Sequence, residues 1–447
     1  MKISSGNVFI HVDTLRRDAP VSCLIKNVLE KMGDNVFLTS RRNLRLLSIG
    51  LFTKIFKPSS IILSHVPGSF TKDELYELSK RSNLFLLMPE GFFDDIALEK
   101  VFPLDFDHNL FSAIFVWGEY TKKWLIKNRN ISEDKIVVAG FHRFDLYGLH
   151  DNFIGKSPPA KTSKKHIGFI GRLGGIDVFD KRSIVRSIVE SVEDESKGIS
   201  HLNLVDEIRD EASSFFLYVQ IFDYIYHNTD YMMSYRPHPN ENVDSKILLK
   251  SRYKDRFLLS AEEDYNSWIL SQDVIISPTS TSYVDAYILG KPVISIDRII
   301  NASKANAALE IAIETFNEYA YAPSTFEELI DLLLAKDLKP RKSEKTQDIL
   351  RDYYDWPRDN YSTVDIVKTV MKHDSVKKHN IGGKLLIKFL SIADYCFFTL
   401  RRLRDKNNLE VRYNYNSYYH KYPEYIKKLS EKIVARLKSA RNYKASS

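Results

Sequence analysis

The strongest constraint in this sequence is its alternation. Short apolar runs recur at Val8–Val12, Val36–Leu38, Ser60–Ser64, Leu84–Met88, Ala113–Trp117 and Ile136–Ala139. Between them lie helix-periodic segments such as Pro20–Lys31, Lys72–Arg81 and Glu119–Lys127. Strands separated by helices imply βαβ units and a parallel sheet. Asp151–Lys165 (DNFIGKSPPAKTSKK) interrupts the pattern with prolines, lysines and little apolar content, and reads as a linker. A second series comes after it: strands at His166–Ile170, Tyr231–Tyr235, Asp273–Ser277 and Pro292–Ile296, with helices at Leu204–His227 and Phe326–Leu334. The expected fold is α/β, with two doubly wound domains and a site in the cleft between them.

Composition bears on the segment C-terminal to that core. The chain has 447 residues and a net charge of +7. From Ser375 to Ser447 there are 17 Lys/Arg against 5 Asp/Glu, a net of +12, which leaves −5 on the rest. The basic character therefore belongs to a tail, and any acidic partner would meet it there. Within that tail Leu385, Leu386, Phe389, Ile392, Cys396, Phe397, Leu400 and Leu403 recur at helical spacing. So do Ile426, Leu429, Ile433 and Leu437, flanked by Lys427, Lys428, Lys432, Arg436 and Lys438. Two basic amphipathic helices lying on an anionic membrane surface are expected, with packing on the body as the rival reading. No recognised nucleic-acid module is present, so nucleic acid is not an expected partner. Cys23 and Cys396 are far apart, which excludes a disulfide framework and zinc-knuckle spacing. The N-terminal residues lack the apolar core of a signal peptide, and no apolar run is long enough to span a bilayer. The expected location is cytoplasmic, peripheral on the inner face of the cytoplasmic membrane.

Four segments at predicted strand ends carry groups suited to chemistry. In Tyr235-Arg236-Pro237-His238-Pro239-Asn240-Glu241 the prolines stiffen a turn from which Arg236 and His238 project. A guanidinium fork and an imidazole donor fit a nucleotide phosphate. In Asp273–Ile296 a strand, a hydroxyl-rich turn, a short helix and a glycine stop follow one another. Thr279, Ser280, Thr281 and Ser282 stand where that helix begins, a place that favours anions. Asp285 could accept a bond from a ribose hydroxyl. The rival reading is ordinary helix capping. Met88–Asp95 places Glu90 beside Gly91, as suits a base or nucleophile. Asp94 and Asp95 are adjacent and do not share a helix face, so no metal site is expected there. Ala139–Asp145 offers His142 and Asp145 as catalytic candidates, or as hinge residues. The dinucleotide, P-loop, serine-hydrolase and zincin motifs are all absent. Gly171–Asp177 (GRLGGID) follows a strand and could approach a substrate through its backbone, but matches no signature.

Taken in order, Glu90-Gly91-Phe92, Arg143-Phe144-Asp145, Arg236-Pro237-His238-Pro239 and the TSTS-to-GKPVI segment resemble bacterial capsule and surface-carbohydrate biosynthesis proteins. These include the capsule β-Kdo transferases, which have the two-domain glycosyltransferase-B (GT-B) fold. The likeness runs from about Val8 to His373. It departs from the family at Phe141-His142, where many relatives have Asn-Pro, and at Asp285, where many have Glu. The resemblance implies two Rossmann-like domains, acceptor-side over 1–155 and nucleotide-donor over 156–354, a crossover helix over 355–374 and the tail over 375–447. It implies that Arg236 and His238 lie by the donor phosphate, that Ser280, Thr281 and Ser282 cradle the nucleotide, and that Glu90 is the foremost catalytic carboxylate.

The expected function is transfer of a sugar from a nucleotide donor to a lipid-linked surface glycan. By resemblance the donor is a CMP-linked ulosonic acid such as Kdo, with no separate cofactor. Arg236, His238 and the capped helix would stabilise the leaving phosphate, while Glu90 or Asp145 would deprotonate the acceptor or attack the anomeric carbon. Two rival readings remain: a CDP-polyol phosphotransferase of teichoic-acid type using His142 as base, and a non-catalytic scaffold of a polysaccharide assembly complex.

Overall fold

The apolar runs become strands buried on both faces, as parallel strands under crossover helices must be. In the computed structural model the described residues are 7–12, 15–39, 53–54, 56–64, 70–88, 95–147, 164–178, 181, 183–186, 189, 201–238, 241–260, 265–302, 318–342, 344–373, 396 and 423–445. The chain divides into two units, Met1–Phe153 with Ile349–Ser447, and Ile154–Asp348.

The first unit holds β1 (Asn7–His11), β2 (Asn35–Thr39), β3 (Ser60–Leu63), β4 (Asn83–Leu87), β5 (Phe111–Val116) and β6 (Ile136–Val138). All pair in parallel, in the order β2-β1-β3-β4-β5-β6. The strand order therefore reverses between β1 and β3, the kind of position where open α/β sheets bind ligands. Leu15–Lys31 forms a helix around Pro20, starting earlier than the proline signal suggests. The helix Ser362–His373 returns to this unit and buries Val364, Ile366, Val367 and Val370 in its core.

The second tail helix packs on the body, the rival of the two readings of the tail. Pro423–Ala445 is helical, but Ile426, Leu429, Ile433, Val434 and Leu437 are buried in the same cluster as Leu24, Val28 and Val367. Its apolar stripe is buried in the core of the first unit. Lys427, Lys428 and Lys438 stay exposed on the other side. The helix expected at Leu385–Leu403 lies, apart from Cys396, outside the described residues. Among the described residues no helix is long and apolar enough to cross a membrane.

The second unit holds β7 (His166–Ile170), β8 (Met232–Arg236), β9 (Phe257–Leu259), β10 (Val274–Ser277), β11 (Val293–Ser295) and β12 (Ala320–Tyr321). Its parallel order is β12-β11-β10-β7-β8-β9. The chain starts in the middle, lays β8 and β9 to one side, then returns and lays β10, β11 and β12 to the other. This is the strand order of the Rossmann fold, reversing between β7 and β10. The edge strand β9 turns Leu258 to solvent and β12 has two residues, so neither reads as a continuous apolar run in sequence. Helix Phe326–Leu334 opens on a cap: Thr325 Oγ1 accepts from the Glu328 amide at 3.2 Å, and Glu328 accepts from the Ser324 amide at 2.7 Å. The fold is thus α/β with two Rossmann-like units and a helical C-terminal segment.

Candidate functional site

The carboxyl ends of β7, β8 and β10 bring three sequence segments to one edge of the second unit. After β7 comes Gly171-Arg172-Leu173-Gly174-Gly175, after β8 Pro237-His238, and after β10 Pro278-Thr279-Ser280-Thr281. Arg172 reaches across the strand-order reversal, and its Nη1 donates to the Thr279 carbonyl at 3.0 Å. It is half-buried, and that is the only hydrogen bond the guanidinium makes among the described residues. In sequence this glycine-rich loop matches no signature, and nothing in it singles out Arg172. The one signal is its place directly after the first strand of a Rossmann-ordered unit.

The hydroxyl turn is built on a buried aspartate. Asp297 accepts from the Thr279 amide at 3.0 Å, from Thr279 Oγ1, and from Ser295 Oγ at 2.8 Å. Thr279 is thereby buried and committed to holding the turn. Ser280 Oγ accepts from the Ser282 amide at 3.2 Å, and Ser280, Thr281 and Ser282 are part-exposed at the start of the helix Ser282–Ile288. Gly290 follows with φ of 69°, the left-handed conformation that glycine adopts at a helix end. Asp285 is 4% exposed, so the structure presents no accessible carboxylate to a ribose at that position.

Arg236 and His238 diverge. Arg236 Nη1 donates to the Ser260 carbonyl at 3.0 Å, and its guanidinium lies 5.6 Å from the Tyr265 ring centroid, on the β9 side. His238 is exposed at the strand ends, with its backbone amide bound by Glu241 at 3.0 Å. Glu241 is wholly buried and also accepts from the Leu173 amide at 2.9 Å and Tyr235 Oη at 2.9 Å. Burial pushes its carboxyl up from the usual range, while Lys246 at 3.4 Å and the two amides pull it back. A second carboxylate, Glu211, accepts from the Gly175 amide at 2.9 Å and the Ile176 amide at 3.0 Å. Burial raises it from 4.5 to about 7 against those bonds.

In the first unit the candidates separate. Asp145 is buried and accepts from the Ser362 amide at 2.9 Å, the Thr363 amide at 2.7 Å and Thr363 Oγ1 at 2.7 Å. It caps the Ser362–His373 helix from outside that segment, and burial raises its carboxyl to about 6. Its oxygens are engaged in holding the fold, which corrects its reading as a catalytic group. His142 is half-exposed in the turn His142–Tyr147, edge-on to Phe141. Glu90 lies outside the described residues. Where the strand order reverses, Ser64 Oγ lies 3.4 Å from His11 Nδ1, both buried. Among the described residues no group of three or more His, Cys, Asp or Glu is placed to hold a metal ion.

No family model and no curated protein matches this chain. Similar solved structures include the S. aureus MnaA–UDP complex, at 11% identity over 84% of this chain and 98% of that one, with a TM-score of 0.49. A UDP-GlcNAc 2-epimerase from Neisseria meningitidis bound to UDP-GlcNAc is 14% identical over 82% and 100%, with a TM-score of 0.45. The wall teichoic acid polymerase TagF is 11% identical over 83% and 88%, with a TM-score of 0.46. The assignment of two Rossmann-like units rests on the strand orders themselves.

Proposed function

We propose that the protein is a transferase for a nucleotide-activated donor, and that the second unit holds the donor's nucleotide. The observation that carries this is the half-buried Arg172 at the β7/β10 reversal, beside the hydroxyls of Ser280–Ser282. Parallel sheets bind phosphorylated ligands at such reversals, and a guanidinium fork fits phosphate oxygens. His238, exposed on an anchored backbone, supplies a further donor from the next loop. Together these groups would stabilise charge growing on a leaving phosphate. Arg236 contributes through its hold on Ser260, and Thr279 through its hold on Asp297.

The finer reading is glycosyl transfer to a lipid-linked surface glycan, from a CMP-linked ulosonic acid such as Kdo, with Glu90 as acid–base or nucleophilic group. The exposed Lys427, Lys428 and Lys438 suit contact with anionic headgroups by charge alone. One observation favours a second reading, polyol-phosphate transfer from a CDP donor. His142 is half-exposed in its turn, whereas Asp145 is buried.

Titration calorimetry with CMP, CDP and UDP, followed by turnover of CMP-Kdo, CDP-glycerol and UDP-GlcNAc, separates the two. Binding of a cytidine nucleotide with CMP-Kdo turnover supports the first. Turnover of CDP-glycerol that is lost in His142→Ala supports the second. Failure to bind any of the three nucleotides would overturn both and favour the scaffold role.

A further inference from the structure

We propose that Glu241 is the positioning residue of the donor site, setting the Arg172 loop and the His238 loop in register through one carboxylate. The proposal rests on the donor-site reading above. Neither loop is part of a strand or helix, so each depends on specific bonds for its place. Glu241 Oε1 accepts from the Leu173 amide at 2.9 Å and from the His238 amide at 3.0 Å. Those amides belong to His238 itself and to the neighbour of Arg172. The oxygen thus fixes the backbone beneath both proposed phosphate ligands.

The rest of the surroundings hold the carboxylate still. Oε2 accepts from Tyr235 Oη at 2.9 Å and pairs with Lys246 Nζ at 3.4 Å. Lys246 is itself 2% exposed and also engages Asp177, at the far end of the glycine-rich loop. Val178 and Glu241 form an antiparallel bridge, and the Asn242 amide donates to the Asp177 carbonyl at 2.8 Å. Gly171 shows how closely the β7 loop approaches. A Cβ there would lie 2.3 Å from Glu241 Oε1 and 2.6 Å from Tyr235 Oη. Only a residue without a side chain lets the loop reach the carboxylate.

Bonds to a charged acceptor are stronger than bonds to a neutral one, so replacing the carboxylate by a neutral amide should weaken both bonds and shift the loops toward solvent-bonded conformations. The ligands would then lose their relative placement even though Arg172 and His238 remain in the chain. A residue that only stabilised the fold would lower the melting temperature without altering how Arg172 and His238 act together.

The test compares Glu241→Gln with wild type in three measurements. Amide hydrogen exchange at Leu173 and His238 should be protected in wild type and at least about tenfold faster in the variant, the loss of a charge-assisted bond. The Kd for CMP, CDP or UDP should weaken by about tenfold or more. In a double-mutant cycle, Arg172→Ala and His238→Ala should be non-additive in wild type and additive in the Gln background. Unchanged exchange at both amides, or a Kd within about twofold of wild type with the cycle intact, would overturn the proposal. Should Glu241→Gln not fold, Tyr235→Phe removes one donor from Oε2. It is expected to weaken binding about threefold with faster exchange at both amides, and no change in either would overturn the proposal. The exchange measurement needs no nucleotide. Wild-type protein that binds none would therefore count against the donor site and leave the positioning role to be judged on the amides.

Discussion

Asp145 and Thr363, 218 positions apart in sequence, are joined by two hydrogen bonds of 2.7 Å, one from the Thr363 amide and one from its hydroxyl. With the Ser362 amide at 2.9 Å, this carboxylate closes the N-terminal end of a helix that arrives from the far end of the chain. Helix starts leave amides without intrahelical acceptors, and a caged carboxylate satisfies them while opposing the helix dipole. Asp145→Ala should therefore destabilise the protein by about 2–4 kcal/mol, read as a lower urea midpoint. A variant with native stability and lost turnover would instead restore Asp145 as a catalytic group.

His238 is exposed at the strand ends, and its own amide is anchored by Glu241. Replacing it with alanine should cut turnover of the donor by roughly 10²-fold, the scale for one oxyanion-type donor. Steady-state kinetics check this, and near-normal activity would remove His238 from the site.

The C-terminal helix contributes to the core. Ile433 is wholly buried among residues of the first unit. Ile433→Ala should cost about 2–4 kcal/mol, as large-to-small core changes do. Changing the exposed Lys427 and Lys428 to alanine should stay within about 0.5 kcal/mol. Chemical denaturation of the three variants distinguishes a packed helix from one free to bind elsewhere.

Glu211 gives a pH dependence with a definite sign. Its carboxyl is raised from 4.5 to about 7 in the folded protein, chiefly by burial. The folded state therefore holds the proton more tightly than the unfolded one, and its contribution is fully present below pH of about 4.5. Stability from this group should fall as pH rises through about 7, by up to roughly 3 kcal/mol. Glu211→Gln should flatten that part of the curve. An unchanged pH–stability profile in the variant would show that Glu211 does not titrate in this range.

The parallel β/α architecture is legible in the sequence because a strand buried on both faces must be apolar throughout. The runs at Ile61–Leu63 and Val274–Ile276 need no tertiary information to be recognised. Caps and stops are equally local: Thr325 before Phe326–Leu334, and Gly290 after Ser282–Ile288. Edge strands β9 and β12 escape notice because Leu258 of β9 faces solvent and β12 has two residues, so neither offers a buried apolar run.

The site is less legible, for a physical reason. Sequence identifies which side chains could bind a phosphate or move a proton. It does not say which of them are already occupied. Asp145, Thr279 and Asp285 have suitable chemistry, yet Asp145 and Thr279 are committed to a helix end and a turn, and Asp285 is buried. Arg172 and Glu241 carry no motif, and they matter through what stands opposite them. The amphipathic pattern of Pro423–Ala445 shows the same division. The spacing of Ile426, Leu429, Ile433 and Leu437 among lysines is enough to give the helix an apolar stripe and a basic face. That the stripe closes the first unit's core follows from the folded chain, because an apolar surface has no intrinsic partner and the fold supplies the one that covers it.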